Sequence, residues 1–473
     1  MNKSFKILSV LFTVLLMYSC NYQKPNQSQG NKELSVVADS ISVLMNNYHY
    51  NPAELTTKEY LKLEKKVKIL ANTSKTKDEF IDNYNVLWQD GPFSHVRLGT
   101  MRQSADAMAD YIDSLKVGDQ NVSISWEGKT AIFTVNTMTG IDTKEKVFEA
   151  YELIAKNPTE SLIIDLRNNS GGTFAGVPLV GHLLSEPIDA GTFVSKKWWD
   201  NHTKAPSVTN IQNLSSWQGW SIKSFWHDVQ EAPLTRIMFK PMQPHFKGRV
   251  YVLISNKTAS AAEMTADGLA QLENVTVIGE TTEGAMLSQK MYDLPSGLQL
   301  SLPIADYYSN RMGRIEGKGV TPDVTINQSL AMDVALSLIN GKELNQALAD
   351  AKQKMSEMQE QPLGVNVIYL LGDMNDWGKD FKATPQFEYK GKGIYESIIT
   401  LKKGRYGFKV APLDWSFDYG ANPNDKNVII GQNRSLVRVP RSSNLIIEIE
   451  EESKLTFRLD VNNIKEARLL VKK

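Results

Sequence analysis

Between Glu33 and about Trp88 the apolar residues fall at helical spacing: Val36, Val37, Ile41 and Leu44, then Tyr60, Leu61, Leu63, Val67, Ile69 and Leu70. Stripes of this period predict amphipathic helices. The stretch Ser74-Lys75-Thr76-Lys77-Asp78-Glu79-Phe80 reads as the capped start of another, running to about residue 88. From about residue 122 to 328 the pattern changes to strands alternating with helices. Val122–Trp126 and Thr130–Val135 flank Glu127-Gly128-Lys129 as a hairpin, a helix is expected over 143–156, and Ser161–Leu166 reads as a buried strand. Gly248–Ile254 is a second such strand, followed by a helix from about Ala259, and Val275–Ile278 is a third. Short apolar runs separated by helices imply an α/β core with parallel strands buried on both faces.

Two stretches break this rhythm. Residues 197–246 are rich in aromatics, among them Trp198, Trp199, Trp217, Trp220, Phe225, Trp226, Phe239 and Phe246. They read either as an inserted subdomain with its own small core or as the lining of a groove for an apolar or carbohydrate ligand. The second stretch, Asn345 to about Gln361, is polar and lacks Gly and Pro, as expected of a linking helix. Beyond it the pattern becomes short alternating strands with Gly turns, around Val367–Gly372, Gly393–Thr400 and Gly404–Val410, which predicts a β-sandwich.

The first residues follow another grammar. Lys3 and Lys6 precede the apolar run Ile7–Met17, which at eleven residues is too short to span a bilayer and suits a signal peptide. It ends at Ser19-Cys20, and Cys20 is the only cysteine of the chain, placed where a bacterial lipoprotein is cleaved and acylated. Polar residues 21–32 then form a tether. The expected organisation is 1–20 lipoprotein signal peptide, 21–32 tether, 33–100 helical N-terminal region, 101–345 α/β core, 346–361 linking helix and 362–473 sandwich. A length of 473 residues agrees with several domains. Lys plus Arg and Asp plus Glu each count 53, so no basic excess points to a nucleic acid partner. No His/Cys/Glu group has ligand spacing, so neither a metal nor another cofactor is expected.

Three motifs carry candidate chemistry. Asp165-Leu166-Arg167-Asn168-Asn169-Ser170-Gly171-Gly172 takes a buried strand into a Gly turn that can present bare N–H groups. No Gly-Lys-Ser/Thr follows, which excludes an ordinary phosphate-binding loop. Asn256-Lys257-Thr258-Ala259-Ser260-Ala261-Ala262-Glu263 puts a serine at a strand-to-helix junction. Ser260 there is either a helix N-cap or a nucleophile whose neighbouring N–H groups face developing negative charge. The third motif is Gly317-Lys318-Gly319-Val320-Thr321-Pro322-Asp323.

In order and spacing these motifs resemble the C-terminal-processing (tail-specific) serine peptidase family, over roughly residues 85–328. The resemblance implies a crotonase-like α/β core, Ser260 as nucleophile, and an oxyanion hole made by Ala261 with Gly171 or Gly172. Many members carry a lysine base 25 residues after the serine; here that position is Ala285. A serine needs a base nearby. Gly91-Pro92-Phe93-Ser94-His95-Val96-Arg97-Leu98 is similar to the histidine segment of the lysine-free, tricorn-core-like branch. That likeness implies His95 as general base, Glu316 as the carboxylate that orients it, and Ser94 as a helper. Lys290 and Lys318 are the alternative bases. Only 26 residues separate His95 from Val122, too few for the PDZ domain of many relatives, which takes about 80 or more.

The C-terminal strands, with Asn375-Asp376-Trp377 and Asp414-Trp415-Ser416, resemble the immunoglobulin-like sandwich modules of pullulanases and glycogen-branching enzymes. In that family of modules exposed tryptophans can hold α-glucan, which makes Trp377 and Trp415 the candidate glycan-binding residues. The expectation is a lipid-anchored cell-envelope serine peptidase acting on peptides or proteins through a Ser-His-Glu triad. The rival expectation is an inactive surface lipoprotein with a glycan- or protein-binding sandwich.

Overall fold

The computed structural model describes residues 27–118, 121–359, 361–364, 366–379, 384–439 and 442–473. Cys20 and the expected signal peptide lie outside these residues. The first helix, Gln27–Tyr48, begins inside the segment read as a tether. Among the described residues no helix is long and apolar enough to cross a membrane.

The core strands are β1 (Arg97–Thr100), β2 (Val122–Glu127), β3 (Thr130–Val135), β4 (Ser161–Asp165), β5 (Ile188–Ser195), β6 (Leu234–Phe239), β7 (Arg249–Ile254), β8 (Val275–Gly279), β9 (Ser288–Leu294), β10 (Leu298–Ser309), β11 (Gly313–Arg314) and β12 (Val324–Thr325). One sheet has the order β12-β8-β7-β4-β3-β2 and is parallel except for the β2–β3 hairpin. Its central strands β4 and β7 are mostly apolar because both faces are covered. Along β7, Val250, Val252 and Ile254 enter the main core, while Tyr251 and Leu253 enter a second core on the opposite face. That second core is closed by the helices Ala331–Ile339 and Leu344–Gln359. The polar linking helix therefore docks rather than spans, and it does so through Ala347 and Ala351, four residues apart on one helical face.

The other sheet is antiparallel, β1-β10-β5-β6, with β9 and β11 also on β10. Leu298, Leu300 and Leu302 of β10 alternate onto the N-terminal helices Gln27–Tyr48, Lys58–Thr73 and Lys77–Gln89. A bulge between Pro303 and Ala305 then changes the strand's course, and Ala305 and Tyr307 join the main core. The aromatic stretch 197–246 has no separate core. Phe225, Trp226, Phe239 and Phe246 belong to the main one, and Trp217 packs on it.

A buried charge cluster ties the N-terminal helices to β10 and β11. The Tyr50 hydroxyl donates to Glu54 Oε2 at 2.6 Å, and Arg314 Nη2 donates to the Tyr50 oxygen at 2.7 Å and to Glu54 Oε1 at 3.1 Å. Arg314 Nε donates to Asp306 Oδ2 at 2.6 Å, and the other Asp306 oxygen is buried without a partner among the described residues. Burial pushes Asp306 up to about 7, against the pull of Arg314.

The C-terminal region is β-rich. Two mainly antiparallel sheets, one built on Ile394–Leu401 and Ser453–Asp460 and the other on Gly404–Ala411 and Leu445–Ile449, share one apolar core. Phe408 of one meets Phe457 of the other edge-on at 5.5 Å.

Candidate active site

Strands β4 and β7 are parallel neighbours, so the loops leaving their carboxyl ends meet. They are stitched together: Thr258 Oγ1 donates to the Leu166 carbonyl at 2.9 Å, Ser255 Oγ to Arg167 O at 2.5 Å and Ala259 N to Asn169 O at 3.0 Å. Buried Asn169 is the clasp. Its Nδ2 donates to Val135 O at 3.0 Å, and its Oδ1 accepts the Gly171 N–H at 2.9 Å. The Gly172 and Ala261 N–H groups make no hydrogen bond among the described residues.

Ser260 heads the helix Ala261–Leu269 with φ 53° and ψ −125°, a conformation rare for a residue with a side chain. Its hydroxyl does not cap the helix. Glu263 N bonds to the Ser260 carbonyl at 2.8 Å, and the Ser260 N–H donates to Glu263 Oε2 at 2.9 Å. The capping role is thus carried by the backbone, and the Oγ is left to the cavity that Ser260 lines. Gly171 packs against it so closely that a β-carbon there would come within 2.7 Å of Ser260 Cβ.

Glu263 does more than support this turn. Buried, it also accepts from Thr282 Oγ1 at 2.5 Å, Gly284 N at 2.8 Å and Ala285 N at 2.9 Å. Burial raises its pKa and these donors oppose the rise. Ala285, at the relatives' lysine position, is therefore held in a turn knotted to the helix that follows Ser260. The pattern Ser-x-x-Glu could have flagged Glu263, since it marks the third helical position of a capping box. Asn169 offered no signal beyond its motif.

His95 lies in the turn between the helix Lys77–Gln89 and β1, with φ 63°. Asn85 fixes that turn through two hydrogen bonds of 2.9 Å to Leu98. The His95 Nδ1 and Ser94 Oγ are 2.5 Å apart. Burial pulls the imidazole below its usual pKa, and the Glu316 carboxylate draws it back up. Glu316 is not hydrogen-bonded to the ring. It accepts from the backbone N–H groups of Ser94 at 3.3 Å, Met286 at 2.7 Å and Leu287 at 3.3 Å. It therefore reaches His95 through Ser94 and through its field, not by the direct bond a simple triad would have.

His95, Ser260, Gly171, Gly172 and Ala261 all line one cavity of about 460 Å³. Lys290 and Lys318 do not line it: Lys290 donates to Gln230 Oε1 at 2.8 Å, and Lys318 is exposed. Trp377 and Trp415 belong to the C-terminal region, where their rings are 6.2 Å apart and inclined by 36°. Both have positive φ, 59° and 54°, and Trp415 is 42% exposed. Among the described residues no group of three or more His, Cys, Asp or Glu could hold a metal ion.

A serine with an uncommitted hydroxyl at a strained strand-to-helix turn, opening into a cavity with a histidine, is the make-up of a serine hydrolase site. Residues 129–326 match the family model described as Peptidase family S41, so the chain carries a domain of that family, and this stretch is similar to carboxyl-terminal-processing proteases. It is 25% identical over 185 residues to the carboxyl-terminal-processing protease of Picosynechococcus sp., covering 39% of this chain and 36% of that protein. It is 26% identical over 182 residues to the carboxy-terminal processing protease CtpA of Bacillus subtilis, covering 38% and 32%. The matched part thus spans about a third of the length of these relatives. Among solved structures it is similar to the photosystem II D1 C-terminal processing protease (15% identity, TM-score 0.40, 66% of this chain and 98% of that one). It is also similar to a lipoprotein from Streptococcus agalactiae (17% identity, TM-score 0.42, 67% and 98%).

Proposed function

We propose that this chain is a cell-envelope serine peptidase that hydrolyses peptide bonds through an acyl-enzyme, on a crotonase-like core of the lysine-free branch. The observation that carries the reading is the uncapped Ser260 hydroxyl, sharing a cavity with His95 and with unpaired N–H groups. Ser260 Oγ attacks the scissile carbonyl carbon and its proton passes to His95, whose Nε2 is left for this by the contact of Nδ1 with Ser94. The tetrahedral oxyanion is held by Gly172 and Ala261, because the Gly171 N–H is already committed to Asn169. His95 then protonates the leaving amine. Water, deprotonated by the same imidazole, hydrolyses the ester and restores Ser260. Glu316 and Ser94 are positioning residues in this scheme. Labelling of the purified protein by a fluorophosphonate, lost in Ser260→Ala, tests it; a wild-type protein that never labels would leave the inactive surface lipoprotein as the better reading.

Two finer parts of the proposal have their own tests. Cys20 is the proposed lipid anchor, and Cys20→Ser is expected to move the protein from the membrane to the soluble fraction; wild-type protein that takes up no radiolabelled palmitate would refute the anchor. The immunoglobulin-like sandwich at 362–473 is the proposed glycan module, supported by two neighbouring tryptophans whose backbones are strained, as at many ligand sites. Trp415→Ala is expected to abolish retardation of the protein in an α-glucan gel. Equal mobility of wild type with and without glucan would remove the glycan from the scheme.

A further inference from the structure

The cavity that holds Ser260 extends well beyond the reacting groups, and its far wall is aromatic. Phe174, two residues after Gly172, is stacked on Trp217 at 5.0 Å with the planes 26° apart. Phe225 meets the edges or faces of Phe174, Trp217 and Phe193 at 5.8, 5.1 and 5.1 Å. These rings come from three separate segments of the chain, and all of them line the same cavity as Ser260.

The wall is held rigidly, although Trp217 sits in a long connection between short helices. One end of this connection is clamped by Asp113, which accepts from the Ile222 N–H at 2.6 Å and from Ser221 Oγ at 2.7 Å. The other is clamped by Arg236, whose Nη1 donates to the carbonyls of Gln212 at 2.7 Å and Leu214 at 3.0 Å while Asp189 holds the guanidinium at 2.8 Å. Between the clamps, the Trp217 N–H donates to Arg236 O at 2.8 Å and its indole Nε1 to Asp228 Oδ2 at 3.0 Å. A fixed ring costs little further entropy when it takes a ligand, which is how binding sites gain selectivity.

Phe174 and Val177 continue the segment that carries Gly172, and Met264 lies one helical turn beyond Ala261. The recess therefore opens beside the two proposed oxyanion donors.

We propose that this recess is a specificity pocket for an aromatic or other large apolar side chain on the residue whose carbonyl Ser260 attacks. The proposal rests on the peptidase reading above and names its substrate preference. It assigns Trp217, Phe225 and Phe174 as the contact surface, and Asp113 and Arg236 as residues that position the loop. A lining with this much apolar surface rewards burial of a phenyl ring and, with Lys240 its one lysine and no arginine among the described residues, offers a carboxylate little to replace its water.

The test separates binding from chemistry. N-acetylated hexapeptides identical except for a C-terminal Phe, Ala or Asp are titrated against the Ser260→Ala protein by calorimetry. The Phe peptide is expected to bind roughly ten- to a hundredfold more tightly than the Ala peptide, and the Asp peptide most weakly. Trp217→Ala on the same background should reduce the Phe-to-Ala ratio to about threefold or less. Asp113→Asn, which alters no ring of the wall, should also reduce it while the protein keeps its circular dichroism spectrum. Equal binding of all three peptides, or tightest binding of the Asp peptide, overturns the pocket. If wild-type protein still labels with a fluorophosphonate in that case, the peptidase reading survives alone. A Phe preference in a protein that never labels would instead keep the pocket and remove the chemistry.

Discussion

Ser260→Ala and His95→Ala are each expected to lower kcat/KM on an unstructured protein by about 10⁴-fold or more, while Lys290→Ala and Lys318→Ala retain most of the activity. The nucleophile and base of a serine hydrolase act as one unit, so losing either removes most of the rate enhancement. Lys290 is engaged with Gln230, and neither lysine lines the cavity, so neither stands ready to take the proton. The pH profile provides a second readout. Burial depresses the His95 pKa, so the neutral, proton-accepting imidazole persists below the usual value of about 6.5. Activity should therefore hold from neutral pH through 6.5 and fall only at lower pH. A lysine base of ordinary pKa would instead give activity that climbs steadily towards pH 10. A live His95→Ala enzyme, or an inactive Lys290→Ala enzyme that remains folded, would overturn the assignment of the base.

Arg314→Met is expected to destabilise the protein by about 3 kcal/mol in urea unfolding, although Arg314 touches no reacting group. It is the cation that answers buried Asp306 and half-buried Glu54, and Asp306 already has one oxygen without a partner among the described residues. Removing one member of such a pair leaves an uncompensated buried charge, whereas replacing both members by apolar groups can be nearly neutral. Without Arg314, nothing opposes the upward push of burial on Asp306 from the arginine side, and Asp306 will hold its proton at neutral pH. The double variant Asp306→Leu/Arg314→Met should therefore recover part of the loss, giving an interaction energy of about 1–3 kcal/mol in the mutant cycle. A single variant within about 0.5 kcal/mol of wild type would mean that the cluster contributes little to stability.

The parallel sheet was legible in the sequence, because strands buried on both faces read as mostly apolar runs without alternation. The runs Ser161–Leu166 and Gly248–Ile254 say this without ambiguity. The antiparallel sheet was not read. Strands β5 and β10 pair across more than a hundred residues, and the leucines of β10 face helices from the far end of the chain. Local periodicity carries no record of such partners. The linking helix was recognised by its composition, but its docking face, Ala347 and Ala351 flanked by partly buried Leu348 and Met355, is too sparse to stand out in a polar segment.

The site was legible to a different degree. Ser260 could be read as a nucleophile only from three motifs together, since a serine at a strand-to-helix junction is otherwise a cap. The Gly171-Gly172 pair could be named, but only the Asn169 hydrogen bond distinguishes the committed N–H from the uncommitted one. Glu316 was identified beside His95, yet its path through the Ser94 backbone depends on loop geometry that no motif encodes. The aromatic segment was visible as composition alone. Its wall exists because Asp113 and Arg236 pin a loop from outside it.

The hydrogen bond from the Ser94 N–H to Glu316 spans 222 positions of the chain. The histidine segment is synthesised early, the serine in the middle and the carboxylate last of the three. A nascent chain therefore cannot complete this constellation until the stretch around residue 316 has emerged and folded back, the kind of distant contact that forms slowly. Under the proposed mechanism the enzyme stays silent while its own unfolded segments, and those of its neighbours, are most open to attack.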